Sequence, residues 1–142
     1  MQQIDIVHAD DLVAIRSFIG MRARRSDLSY HGVGSAEELG KYLKGHFGGV
    51  YALSNKGDII MKPDNEIDTD APHSAISAGT TTQLALQSIP LIKEVHEKTG
   101  IGLPKILVYG KNPDGLELDG VELFPYDTPK DLFEKIVAML GE

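Results

Sequence analysis

The chain has 142 residues, 42% of them apolar and 25% charged, with a formal net charge of −7. That length suits a single globular domain, 1–142, with a real core, and no apolar run approaches the roughly 18 residues needed to cross a bilayer. There is no cysteine, so disulfides, thiolate metal sites and a cysteine nucleophile are excluded. An acidic balance argues against a protein whose main task is to coat nucleic acid, because phosphate contacts rest on Lys and Arg. The N-terminus, MQQIDIVHADD, lacks a positive segment followed by an apolar one. No signal peptide is visible, and a cytoplasmic location is expected.

Ile4 and Ile6 alternate with polar residues and predict a short strand. Asp10 or Asp11 is placed to cap the helix that follows, because a carboxylate accepts free backbone N–H groups. Leu12, Ile15, Phe18 and Ile19 recur at helical spacing. That helix ends at Gly20 or runs on through Arg22, Arg24 and Arg25. Ser26 to Gly34 reads as a loop by composition. Ser35-Ala36-Glu37-Glu38 is a capping box, and Leu39, Tyr42, Leu43 and Phe47 form the apolar stripe of the helix it starts. Gly48-Gly49 is expected to stop that helix. Val50 to Leu53 and Asp58 to Met61 then read as the two strands of a hairpin, joined by a turn at Ser54 to Gly57.

After an acidic stretch, Thr80 or Thr81 caps a long helix in which Pro90 must make a kink or a break. Gly100 ends it. Lys105 to Tyr109 (KILVY) has the continuous apolar character of a buried strand. Asn112 to Gly115 reads as a turn and Val121 to Phe124 as a strand. Thr128-Pro129-Lys130-Asp131 opens the last helix with a cap, a first-turn proline and an acid. The order predicts an α/β fold, with α+β as the alternative: one mixed sheet of about five strands with a hairpin, flanked by helices.

The chemistry-bearing residues concentrate between Asp58 and Gly79. Asp64, Glu66, Asp68 and Asp70 alternate like the start of a calcium loop. The sixth position, however, holds Thr69 instead of glycine, and the twelfth Ala75 instead of glutamate. His73 beside these acids, and His31 in a glycine-flanked segment, have the chemistry of a general base. Arg22, Arg24 and Arg25 are a helix end or an anion-binding patch. The helix starts at Ser35 and at Thr80 are candidate anion sites, because free N–H groups point outward there. No Walker loop, dinucleotide fingerprint or Gly-x-Ser-x-Gly elbow is present.

From Ser35 to Leu140 the element order resembles the restriction-endonuclease-like superfamily, the PD-(D/E)xK nucleases. The local likeness is to Gly57-Asp58-Ile59-Ile60, to Glu66-Ile67-Asp68, and to Gln83 on the next helix. The resemblance implies a metal-dependent nuclease or phosphodiesterase, with Asp58, Glu66 and Asp68 binding Mg²⁺ or Mn²⁺. Glu38, Asp58, Asp68 and His73 would be its catalytic groups, and Arg22, Arg24 and Arg25 would meet the phosphates of a nucleic acid. The chain departs from the pattern where the family's E-x-K would fall, at Ala75-Ile76-Ser77. The alternatives are a non-enzymatic acidic binding module with a basic protein partner, such as an inhibitor, immunity or assembly protein, and a small anionic-ligand sensor working at Ser35 and Thr80. Oligomeric state is not legible.

Overall fold

A computed structural model describes residues 1–55, 81–110, 120–125 and 128–142, with side chains of the third helix described from Leu84 onward. The strands are β1 (Gln2–Ala9), β2 (Tyr30–Val33), β3 (His46–Ser54), β4 (Ile106–Gly110) and β5 (Val121–Pro125). The helices are α1 (Val13–Arg25), α2 (Ala36–Tyr42), α3 (Thr81–Thr99) and α4 (Pro129–Leu140). The five strands form one sheet in the order β2-β1-β3-β4-β5, and every pairing is parallel.

The α/β class and a sheet of five strands are as the sequence predicts, but one of the five is Tyr30–Val33, and the sheet is parallel and not mixed. Val50–Leu53 of β3 pairs with β1 on one side, and Tyr51–Ser54 pairs with β4 on the other. Both edges of β3 are filled, so no returning hairpin strand can lie against it. Asp58 to Met61 falls outside the described residues.

Period-two alternation assigns the two faces. Val7, Ala9, Tyr51, Leu53, Ile106 and Val108 pack with Leu39 and Leu43 of α2 and Leu84, Ile89 and Ile92 of α3. Ile6, Val50, Ala52, Leu107 and Tyr109 pack with Ile15 and Ile19 of α1 and Leu132, Phe133, Ile136 and Met139 of α4. Burying each of these large apolar side chains contributes about 1.5–3 kcal/mol. The sheet is thus covered on both faces, as a parallel sheet requires.

Three local expectations are corrected. Tyr30–Val33 is a strand and not part of a loop. Phe47, Gly48 and Gly49 belong to β3 and not to α2 or its stop. The helix ends at Tyr42, and the glycines serve close approach within the sheet: a Cβ at Gly49 would meet the Asp5 carbonyl oxygen at 3.0 Å. α3 runs unbroken through Pro90, and Gly100 follows with φ +70°, the left-handed conformation glycine adopts readily after a helix.

Candidate functional site

In open parallel sheets, ligands bind outside the carboxyl ends of the strands, where the chain order reverses. Here the chain passes from β1 outward to β2 and then back across to β3, so the reversal lies between the carboxyl ends of β1 and β3. β1 leads directly into Asp10-Asp11, and β3 ends in Ser54-Asn55. Asp10 and Ser54 are fully buried and Asn55 is 4% exposed.

His8, Asp10, Ser54 and Tyr109 all project from the sheet face covered by α1 and α4 by strand alternation. Tyr109 lies opposite Ser54 in register, and Ala9, just before Asp10, lies opposite Leu53. Ser54 is therefore flanked by Asp10, one residue past the end of β1, and by Tyr109 on β4. A directed hydrogen-bond chain runs through this group. The Tyr109 hydroxyl donates to Asp10 Oδ2 at 2.7 Å. Its oxygen must then accept from His8 Nε2, at 2.6 Å. With Nε2 carrying the proton, Nδ1 of the neutral ring accepts from the Tyr30 hydroxyl at 2.7 Å. The other Asp10 oxygen, Oδ1, accepts from the Leu12 N–H at 2.9 Å, which fixes the carboxylate at the start of α1.

Burial pushes the Tyr30 hydroxyl far above the ordinary tyrosine range, with Arg16 opposing and Asp10 adding to the shift. It stays a proton donor at any physiological pH. Two glycines make room for it: a Cβ on Gly20 would meet the ring at 3.0 Å, and one on Gly32 would meet the hydroxyl at 2.7 Å. The floor of the crevice is equally tight. Asn55 N–H donates to the Tyr109 carbonyl at 2.6 Å, and a Cβ at Gly110 would fall on the Asn55 carbonyl oxygen. Among the described residues, Ser54 Oγ and Asn55 Oδ1 are buried with no hydrogen-bond partner.

Of the residues the sequence singles out, Asp58, Glu66, Asp68, His73 and Thr80 lie outside the described residues. Ser35 and Glu38 cap α2: Ser35 Oγ accepts from Glu38 N–H at 3.2 Å, and Glu38 Oε2 accepts from Gly34 N–H at 3.1 Å. Neither hydrogen-bonds to the buried group around Asp10 among the described residues. Arg22 lies over the Phe18 ring at 5.2 Å, Arg25 is exposed, and Arg24 faces a groove beside Arg16. His31 stacks on Tyr42, which stacks in turn on His46, at 3.6 and 4.1 Å between ring centroids. His46 begins β3 and is not on a helix. Sequence reasoning misses His8, Tyr30, Ser54, Asn55 and Tyr109. The one available signal is the Asp10-Asp11 pair directly after an apolar strand, and on spacing alone that pair reads only as helix caps.

Among the described residues no cluster of three His, Asp or Glu side chains is placed to hold a metal ion, and no helix is long and apolar enough to cross a membrane.

No protein-family model matches the chain, and no curated protein matches it in sequence. Solved structures do match its fold. A response regulator receiver protein from Sinorhizobium medicae is similar over 98% of this chain and 95% of its own, at 12% identity and TM-score 0.60. A CheY-like receiver domain protein from Methanospirillum hungatei covers 99% and 94%, at 17% identity and TM-score 0.52. A de novo designed Rossmann 2x3 protein covers 96% and 89%, at 12% identity and TM-score 0.55. The fold is therefore the doubly wound α/β fold of receiver domains. This overturns the restriction-endonuclease-like resemblance and the nuclease or phosphodiesterase function drawn from it. The acidic binding module and the helix-start ligand sensor gain no support from these likenesses either. The designed protein carries the same fold, so function has to be argued from the site.

Proposed function

We propose that the chain is a receiver-like regulatory domain, whose state is set by what occupies the crevice at the carboxyl ends of β1, β3 and β4. The observation that carries this reading is the position of Asp10: a buried carboxylate at the topological switch point, held by Leu12 and Tyr109, near two buried oxygens at the end of β3 that have no hydrogen-bond partner among the described residues. The donors suit a hard divalent cation. Mg²⁺ uses one or two carboxylates and fills its remaining positions with neutral oxygens and water. Asp10 and Asp11 would supply the carboxylates, and Ser54 Oγ or Asn55 Oδ1 the neutral oxygen. When bound, Mg²⁺ supplies the positive charge that holds an anionic group over the acidic crevice.

Neither Ser54 nor Asn55 carries a carboxylate, so an acyl phosphate cannot form on the described end of β3. Non-covalent occupation is the reading this chemistry favours. Tyr109 donates to Asp10 and also touches His8, so a change at Asp10 reaches Tyr30 through buried, directional hydrogen bonds, which polarise one another in a low-dielectric interior.

The test is an NMR titration with Mg²⁺ and then beryllofluoride, a phosphoryl mimic; one structurally similar receiver domain is a BeF3-activated form. Amide shifts are expected at Asp10 to Leu12, Ser54, Asn55 and Tyr109, and Asp10→Asn should abolish them. Shifts absent at millimolar Mg²⁺, or scattered away from these residues, would sink the proposal.

A further inference from the structure

A groove of about 550 Å³ runs between α1 and the edge strand β2, within the range of small-molecule sites. Arg16 and Arg24 line it with Tyr30, Met21 and Leu28. The two arginines lie two turns apart on one helix face, with Gly20 between them. The Tyr30 ring packs against Gly20 and Gly32 and forms the floor between the arginines. From Leu12 to Ser26 the chain contains no acid, and neither arginine forms an ion pair among the described residues. Arg16 Nε is buried with no hydrogen-bond partner among the described residues. Its guanidinium head lies against the end of β2, 3.6 Å from where a Cβ on Gly34 would stand. Leaving the buried Arg16 donor without an acceptor is costly, and the exposed Arg24 brings a second positive charge to the same hollow in a chain of net charge −7.

We infer that this groove binds a small phosphorylated molecule, with its phosphate on Arg16 and Arg24 and its organic part against Met21 and Leu28. The guanidinium fork pairs with phosphate oxygens two at a time, and a bound phosphate gives Arg16 Nε the acceptor it lacks. The site does not depend on the crevice proposal, although Tyr30 borders both.

Calorimetric titration of the full chain with inorganic pyrophosphate and with ADP tests it. Both should bind, ADP the tighter of the two, with affinity falling as salt rises. Arg16→Ala and Arg24→Ala should each weaken both ligands by about tenfold or more, the loss expected for one charge-assisted hydrogen bond. Arg24 is exposed, so its variant keeps the test valid if Arg16→Ala folds poorly. Equal affinity for the two ligands would overturn the apolar half of the site and retain the phosphate end. No binding at millimolar ligand, or binding indifferent to both substitutions, overturns the inference. Arg24→Ala should leave the Mg²⁺ response at Asp10 intact, which separates failure here from failure at the crevice.

Discussion

Tyr109 is the residue on which the buried network turns. Its hydroxyl joins Asp10 and His8, two polar groups that are both fully buried. Tyr109→Phe keeps the ring and its packing but leaves a donor on His8 and an acceptor on Asp10 without that partner. Each lost buried hydrogen bond of this kind costs about 1–3 kcal/mol, so losing both should destabilise the fold by about 2–6 kcal/mol in urea unfolding. Tyr30→Phe removes one such bond and should cost about half as much. Equal and small effects for the two would show that the chain of bonds is not the stabilising unit. His96 shows the same logic at the opposite end of the sheet. Its Nδ1 donates to the Gly102 carbonyl at 2.8 Å, so Nε2 accepts from the Tyr51 hydroxyl, whose oxygen takes the Gly48 N–H.

At the scale of elements, the short helix α2 depends on its cap. Seven residues cannot hold a helix in water unaided. Ser35 supplies the acceptor for Glu38 N–H, and the Glu38 carboxylate accepts in turn from Gly34 N–H. Ser35→Ala should cost about 1 kcal/mol, read as a lowered urea midpoint with an unchanged slope. A loss within experimental noise would mean that packing of Leu39 and Leu43 alone positions the helix. This cap is legible in the sequence because its signal spans four residues, as is the cap of α4, where Thr128 Oγ1 accepts from Asp131 N–H. β2 is illegible because Tyr30–Val33 is only four residues long and contains a glycine. It is a strand by virtue of its pairing with Ile6–Ala9. Phe47 to Gly49 misleads for the converse reason: glycines that usually stop helices here let β1 and the Tyr51 ring approach β3.

The whole molecule carries a pH dependence set by its buried tyrosines. Burial pushes the Tyr51 hydroxyl up to about 12 from 10.0, with the Gly48 N–H partly opposing, and it raises Tyr30 as well. In the unfolded chain these groups lose their protons near pH 10, while the folded state retains them. The folded state then binds more protons, so stability falls as pH rises. The Tyr51 contribution should be complete below pH 10 and lost between 10 and about 12, while that of Tyr30, raised further, persists to higher pH. Urea midpoints measured across that window should decline, and Tyr51→Phe should flatten part of the slope. An unchanged slope in that variant would remove Tyr51 from the account.

The sequence by itself determined the α/β class, the buried strand foreseen at Lys105–Tyr109 and observed at Ile106–Gly110, and the capped starts of two helices. These follow from patterns read within one or two turns of chain. It also placed Asp10-Asp11 after a strand, without showing what the pair faces. Only the tertiary structure decided that all five strands are parallel and that the reversal of order falls between β1 and β3. It alone joined His8 to Tyr109, 101 residues away, and left Ser54 Oγ, between Asp10 and Tyr109, without a hydrogen-bond partner among the described residues. The physical reason is that parallel strands pair through long crossovers. The partners of a buried polar group in such a sheet are therefore set by register between distant segments, and no local spacing records that register.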